Sequence, residues 1–402
     1  MPGSWWKRLP PVHILLIWGF LVIGLTVNFL QLLTLLVWPF SRWLYRKLNS
    51  WLAFQIWCQF TMLSQWYANS KIRMFVRPEQ VPHLGTEHSI VIMNHRYETD
   101  WMLGWCAVER LGMLGSSKMV GKKVLKFIPI IGWSFYFTEC MFLSRNLDHD
   151  RRVLEYHSKE MISYPKEHPV SVLFFPEGTR FTEAKLAACN EVAAAKGLSP
   201  MRHLLLPRTR GFILLLQSLK GRASCIYDMT LAVPAGEDPT MMAALNGRPC
   251  RADFLCERIP LDDVPSDDAE CSKWLFDLYK KKDDALDYYF KHGQFPDQAA
   301  TDMHLARRNK DITAYLIWLA WSILVFAVFV LPYIVQSKLN CCLFVLLLVF
   351  MSYGARKLIG VTEIRKSSSY GLGGGASSAS PEGVLVLRKL GESRNLETSG
   401  YI

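Results

Sequence analysis

Residues 12–38, VHILLIWGFLVIGLTVNFLQLLTLLVW, contain no Lys, Arg, Asp or Glu. Few folds accept such a run in water. At about 1.5 Å rise per residue, a helix of this length covers the roughly 30 Å hydrocarbon core of a bilayer. A cleaved leader has a shorter apolar region and a small-residue cleavage site, so a retained N-terminal membrane anchor is expected. Two further apolar runs lie towards the other end. Residues 314–335, AYLIWLAWSILVFAVFVLPYIV, are again of spanning length, and residues 341–353 follow after the link QSKLN. Alone, the last run reads as a re-entrant or buried helix. Beside its neighbour it is expected to complete a C-terminal transmembrane hairpin that includes Gly354.

The flanking charges give an orientation. Arg307, Arg308 and Lys310 precede the hairpin, Arg356 and Lys357 follow it, and Lys338 alone sits in its loop. Positive flanks stay on the cytosolic side. Arg42, Arg46 and Lys47 outnumber Lys7 and Arg8 across the first run, which predicts a cytosolic middle and a lumenal N-terminus. The net charge of +11 fits anionic membranes or anionic substrates. Nucleic acid is disfavoured, because the basic residues flank apolar segments instead of forming one long exposed run. Ten cysteines without repeated short spacing or a zinc-type CxxC pair point to a reducing compartment for the soluble part.

Between the membrane runs, residues 51–67 are apolar and aromatic but broken by Gln55, Gln59 and Gln65. An interfacial helix fits this pattern, and an ordinary core helix is the alternative. Residues 88–93, 170–175, 223–233 and 251–257 read as strands, with helical patterns over 148–163 and 271–290. The alternation predicts an α/β domain around a largely buried sheet. The expected organisation is an anchor over 1–50, an interfacial helix and linker over 51–79, and a catalytic unit over 80–305. A membrane hairpin over 306–360 and a flexible Gly/Ser-rich tail over 361–402 complete it.

Four stretches carry chemistry. NHRYETD, residues 94–100, follows a strand and holds His95 and Asp100. A helix starting near Thr99 would let the Asp100 carboxylate reach back to the imidazole, fixing its tautomer and raising the basicity of the other nitrogen. From spacing alone, a capped loop with a satisfied histidine is the more ordinary reading. FFPEGTR, residues 174–180, puts Glu177, Gly178, Thr179 and Arg180 in a turn after a second strand. There the guanidinium fork suits a phosphate, although a charged surface turn reads the same way. Lys118, Lys122, Lys123 and Lys126 crowd a segment that turns apolar and aromatic and ends at Arg145. HLLLPRTRGF, residues 203–212, places Pro207 and Arg208 after an apolar run.

The order of these blocks resembles the glycerolipid acyltransferases of the 1-acylglycerol-3-phosphate acyltransferase (lysophosphatidate acyltransferase) family. Its HxxxxD motif matches His95 and Asp100. Its second block matches Lys123, Pro129, Gly132 and Arg145, with Val124 where many relatives carry a glutamate. Its EGTR block matches Glu177, Gly178, Thr179 and Arg180, and its proline block looks like the residues around Pro207. ERLGMLGSSK, GWSFYF, RFTEAK, EVAAAKGL and IGVTEI look most like the animal members numbered three to five, above all the third, gamma type.

The resemblance implies a glycerolipid acyltransferase-type mixed sheet with flanking helices, in the endoplasmic reticulum membrane with the catalytic unit facing the cytosol. It implies His95 as general base on the acceptor hydroxyl and Asp100 as its orienting carboxylate. Glu177, Gly178, Thr179, Arg180, Lys123 and Arg145 would receive the acceptor phosphate, with Pro207 and Arg208 as further contacts. Lysophosphatidate and acyl-CoA would be the substrates, acyl-CoA as co-substrate and no metal or other cofactor needed. Lysophosphatidylinositol, lysophosphatidylcholine and lysocardiolipin are alternative acceptors. A catalytically silent lipid-binding protein is disfavoured because the motif residues are intact, and a hydrolase because no GxSxG elbow occurs.

Overall fold

In the computed structural model of the chain, residues 5–362 are described apart from 145, 162, 163, 165–167 and 298. Arg145 and the tail beyond 362 therefore lie outside the described residues. The strands are β1 (Lys71–Val76), β2 (Ser89–Met93), β3 (Ser117–Lys122), β4 (Met141–Leu143), β5 (Ser171–Phe174), β6 (Cys225–Ala232), β7 (Arg251–Pro260) and β8 (Thr301–Asp302). They form one mixed sheet in the order β4-β3-β5-β2-β6-β7-β1-β8. β2 lies parallel between β5 and β6, and β7 turns antiparallel to β6. β1 pairs along its whole length with β7, so the catalytic unit starts before residue 80. KIRMFV shows only a short alternation, too weak to read as a strand beforehand.

The pleat sends alternate residues to opposite faces. Ile90 and Ile92 of β2 pack into one core layer, Val91 and Met93 into the other. The first layer takes α5 (Leu147–Met161), α7 (Thr209–Leu219) and α9 (Asp268–His292), through Leu154, Phe212, Leu275 and Tyr279. The second takes α3 (Asp100–Arg110) through Leu103, Cys106 and Ala107. Both faces of the sheet are covered, and β2 is buried at every position.

α1 (Pro10–Leu33) and α2 (Arg42–Met62) precede the sheet. α4 (Ile131–Phe137), α6 (Glu183–Ala195) and α8 (Met241–Leu245) are inserted in it, and α10 (Lys310–Val325), α11 (Leu331–Gln336) and α12 (Lys338–Thr362) follow. Among the described residues, two helical stretches are long and apolar enough to cross a membrane, Pro10–Leu36 and Lys310–Gln336. α12 turns back after the second with its own apolar part over Lys338–Gly354.

The glutamines of residues 51–67 do not face a lipid–water boundary. Gln55 accepts from Trp318 Nε1 of α10 at 3.0 Å, and Gln65 accepts from Arg110 Nε at 2.7 Å while donating to Asp311. Trp57 stacks on Trp105 at 5.1 Å. α2 is thus a packed helix whose polar groups tie it to α3 and α10, although Trp43 and Trp51 remain exposed.

The residues ahead of α1 are packed against the fold. Lys7 Nζ donates to the Tyr67 carbonyl, Tyr67 Oη donates to Lys7 O at 3.2 Å, and the Lys7 side chain lies over Gly247. At the other end of α1, Asn49 of α2 donates to Thr34 Oγ1 at 2.7 Å, and Tyr45 Oη donates to Phe137 O at 2.8 Å. Both ends of α1 therefore contact the unit that carries the sheet.

Candidate active site

Parallel neighbours bring the loops at their carboxyl ends side by side. β2 and β5 pair from Ser89↔Ser171 to Ile92↔Phe174, so NHRYETD and FFPEGTR emerge together. The two loops are then locked. His95 N donates to Glu177 Oε1 at 2.8 Å, and Phe181 N donates to His95 O at 2.8 Å. On the other side Asn94 donates to Leu231 O at 3.0 Å and accepts from Leu231 N at 2.7 Å, fastening the loop to β6.

Asp100 is the first residue of α3 and is fully buried. Its Oδ2 stands 2.8 Å from His95 Nδ1, and its Oδ1 accepts from Tyr97 N at 2.9 Å. Thr99 occupies the cap position without a side-chain cap bond, donating instead to Pro239 O at 2.9 Å. Burial raises the affinity of Asp100 for a proton, against its bond to His95 and the Tyr97 N–H. The helix N-terminus favours its charge as well. An acceptor on Nδ1 places the ring hydrogen there and leaves the Nε2 lone pair outward. The ring is stacked on Phe175 at 4.3 Å and lines a cavity of about 1460 Å³. The open alternative, a capped loop with a satisfied histidine, does not describe this: one nitrogen is oriented and the ring opens onto the cavity.

Around His95 the cavity wall is cationic. Arg180, Arg208 and Lys122 line it. Burial lowers the proton affinity of Lys185, and the charges of Arg180, Lys122 and Arg208 lower it further, so four cations share this region. Burial likewise weakens proton binding by Arg180, with Glu98 and Asp100 opposing. Gly178 takes a φ of 66°, and a Cβ there would stand 3.0 Å from Arg208 Cδ. Only glycine suits that turn. Arg208 is aligned through its backbone, which donates to Pro176 O at 2.8 Å.

Two sequence assignments, Glu177 and Lys123, read differently in the structure, while Thr179 lines the cavity with Gly178 and Arg180. Glu177 is buried and points inward, accepting from His95 N and, at 3.3 Å, from Leu205 N. Burial pushes its carboxyl up to about 8, against these two N–H groups. It ties the loops together and is not among the residues that line the cavity. Lys123 is exposed beyond the cavity wall, while Lys122 lines it, because β3 ends at Lys122 and the chain turns there. Thr179 is mostly buried, its hydroxyl accepting from Lys185 Nζ at 2.8 Å. Pro129 and Gly132 shape the turn after β3; a Cβ on Gly132 would come within 2.1 Å of Leu125 O. Pro207 is buried beside the Arg208 position.

Sequence reasoning passed over Lys185, which also donates to Arg180 O at 3.1 Å, and Glu98, which accepts from Met241 N at 3.3 Å on the cavity wall. Lys185 belongs to RFTEAK, where a threonine cap three residues ahead was the available signal. Away from the charges the cavity is apolar, walled by Phe20 of α1, Trp57 of α2, Trp101 and Trp105 of α3, and Ile130.

Residues 73–227 match the family described as Acyltransferase, and residues 243–321 the one described as Acyltransferase C-terminus. The 1-acyl-sn-glycerol-3-phosphate acyltransferase delta of Pongo abelii is 40% identical over 363 residues, 90% of this chain and 95% of its own. The gamma enzyme of Mus musculus is 40% identical over 361 residues, with the same coverage. The solved structure of the 1-acyl-sn-glycerophosphate (LPA) acyltransferase PlsC from Thermotoga maritima is 17% identical. It covers 68% of this chain and 95% of its own, with a TM-score of 0.40. From the identity and coverage of these relatives, the chain belongs to the 1-acyl-sn-glycerol-3-phosphate acyltransferase family and is an acyltransferase enzyme.

Proposed function

We propose that the protein transfers an acyl group from acyl-CoA to the free hydroxyl of 1-acyl-sn-glycerol-3-phosphate, giving phosphatidate. The observation that carries this reading is one cavity lined by the Asp100-oriented His95, by Arg180, Arg208 and Lys122, and by a long apolar wall. His95 Nε2 takes the hydroxyl proton as the oxygen attacks the thioester carbonyl, and Asp100 stabilises the imidazolium that forms. The tetrahedral intermediate then expels CoA, whose sulfur receives the proton from His95. No enzyme nucleophile is needed.

The cations favour the lysophosphatidate acceptor. A phosphate monoester carries about −1.5 to −2 near neutral pH, whereas the diester of a larger head group carries one charge. Several cations gathered at one end of the cavity suit the former. The gamma assignment belongs to this proposal, since delta and gamma relatives are both 40% identical to the chain. So do residence in the endoplasmic reticulum membrane, a multi-pass topology through the C-terminal hairpin, and a catalytic unit facing the cytosol.

The test is transfer from labelled acyl-CoA in membranes carrying the native chain or His95→Ala, with lysophosphatidate, lysophosphatidylinositol and lysophosphatidylcholine offered side by side. Phosphatidate formed by the native chain and lost in the variant is expected. Transfer to another lysolipid alone moves the acceptor, and no His95-dependent transfer sinks the reading.

A further inference from the structure

After β3 the chain folds into a compact hook. A 3-10 turn over Lys123–Phe127 leads to Ile130, whose φ of 68° reverses the chain into α4. Gly132 N donates to Ile128 O at 2.8 Å, holding the reversal. The hook has two apolar sides. Inward, Ile130 and Phe135 join the cluster of Ile23, Val27 and Trp57. Outward, Val124 is 64% exposed, Phe127 70%, Trp133 42% and Tyr136 51%. Lys123 and Lys126 stand among them, Lys126 Nζ lying 4.3 Å from the Tyr136 ring centroid.

We propose that this outward face is a membrane-docking surface that enters the leaflet beside α1, with its lysines at the level of anionic lipid head groups. Two observations name the occupant. First, the hook is seated on α1 by its inward side, so its outward face lies beside that helix: Ile130 sits so close to Gly24 that a Cβ there would be 2.4 Å from Ile130 Cγ2. On α1 itself Leu25, Phe29 and Leu32 are exposed. Second, its chemistry is that of an interface, with Trp and Tyr rings bridging apolar and polar layers and lysines reaching outward past them. A contiguous apolar patch of this kind is costly in water.

The placement has a consequence. Leu125, Ile128 and Pro129 of the same hook line the cavity that reaches His95. The hook is therefore the lip between leaflet and cavity, and an acceptor already lying in the leaflet passes it without crossing water. That statement about the route rests on the proposed reaction; the docking does not.

The experiment uses the full chain in phosphatidylcholine vesicles with and without an anionic lipid. Phe127 or Trp133 is replaced by photoreactive benzoylphenylalanine, with Lys273 on α9 replaced as a control. Phospholipid adducts at 127 and 133 but not at 273, increased by the anionic lipid, are expected. Adducts only to protein, or no lipid adducts above the control, overturn the docking surface. For the route, Phe127→Ser and Trp133→Ser are assayed with the acceptor in vesicles and in detergent micelles. A loss in vesicles greater than in micelles by roughly tenfold or more is expected, the scale of one lost apolar burial. Equal losses in both overturn the route, and a native chain without acyl transfer removes the reaction while leaving the cross-linking result standing.

Discussion

Asp100 does two things with two oxygens: one fixes the His95 ring and the other holds the Tyr97 N–H of the loop. Asp100→Asn keeps the shape and removes the charge, and its amide can donate to Nδ1 and select the wrong tautomer. By analogy with other carboxylate–histidine pairs, kcat is expected to fall by roughly 10³ to 10⁴ while the KM of either substrate changes little. Steady-state kinetics check this, and an equal fall in kcat with a large rise in KM would make Asp100 a structural residue only. The lysines allow a second comparison. Lys122→Ala is expected to raise the KM for lysophosphatidate by roughly tenfold, the scale of one charge-assisted contact, and Lys123→Ala by less. The reverse order would restore the assignment made from the motif. At this scale the sequence was legible where chemistry and spacing coincide, as for His95, Asp100 and Arg180. It was not legible at Glu177, where the same carboxylate reads as ligand-facing or inward. The sense of a turn decided between Lys122 and Lys123.

Helix α9 begins at Asp268, far along the chain from the motifs, yet it holds the site from behind. Asp283 is fully buried and accepts from the backbone N–H groups of Arg202, His203 and Leu204 at 2.7–3.1 Å. The next amide, Leu205 N, reaches Glu177, which holds His95 N. Beside it Lys282 bonds Asp228 and Met229 O on β6. Asp283→Ala leaves three backbone donors without their acceptor, and the buried one at Leu204 alone costs about 1–3 kcal/mol before relaxation. A thermal shift of several degrees downward and weaker acceptor binding through Arg208 are expected, while unchanged stability and KM would show the loop to be held otherwise. A helical pattern revealed α9, but not which of its acids point inward. A second tie joins α2 to the sheet. Arg46 bonds Glu139 at 2.9 Å and also Glu160, while Lys118 and Tyr164 share Glu139. Burial would raise Glu139, but Lys118 and Arg46 prevail and hold it at about 2, below the ordinary 4.5. Its contribution is complete above pH 4.5 and is lost as pH falls through that value towards 2. Burial, then the Lys118 charge, brings His157 down from 6.5 to about 4, so the unfolded chain binds the extra proton in that window. Stability therefore falls on acidification from 6.5 to 4. Melting temperatures of the detergent-solubilised protein should decline over this range, and His157→Gln should flatten the decline. An identical slope in the variant would place the titrating group elsewhere.

For the whole molecule, the apolar runs and the α/β alternation were legible because length and period are local properties. Charges do not read so simply, because those counted as membrane flanks also make contacts within the fold. Arg42 pairs with Glu160 at 2.9 Å and Arg46 with Glu139 and Glu160. Arg307 donates to Asn69 and Ser70 O, and Arg308 to Glu109 O. A charge tied to a partner in the fold, as Arg46 is, is a weaker vote for a membrane side than a free one. On the other flank Lys7, which counted as a weak opposing vote, is bound to the Tyr67 carbonyl and lies against Gly247. If these contacts persist in the membrane, the residues just ahead of α1 share a compartment with Tyr67 and Gly247 and hence with the loop over 234–239 of the same unit. The proposed hairpin of Lys310–Gln336 and α12 would then return to that side. The expected outcome is that epitope tags placed ahead of Trp5 and within residues 234–239 are removed together by protease added to sealed vesicles. They should also be protected together when the vesicles are inverted. Removal of one tag with protection of the other would mean that α1 crosses the bilayer and that the contacts of Lys7 do not form in the membrane.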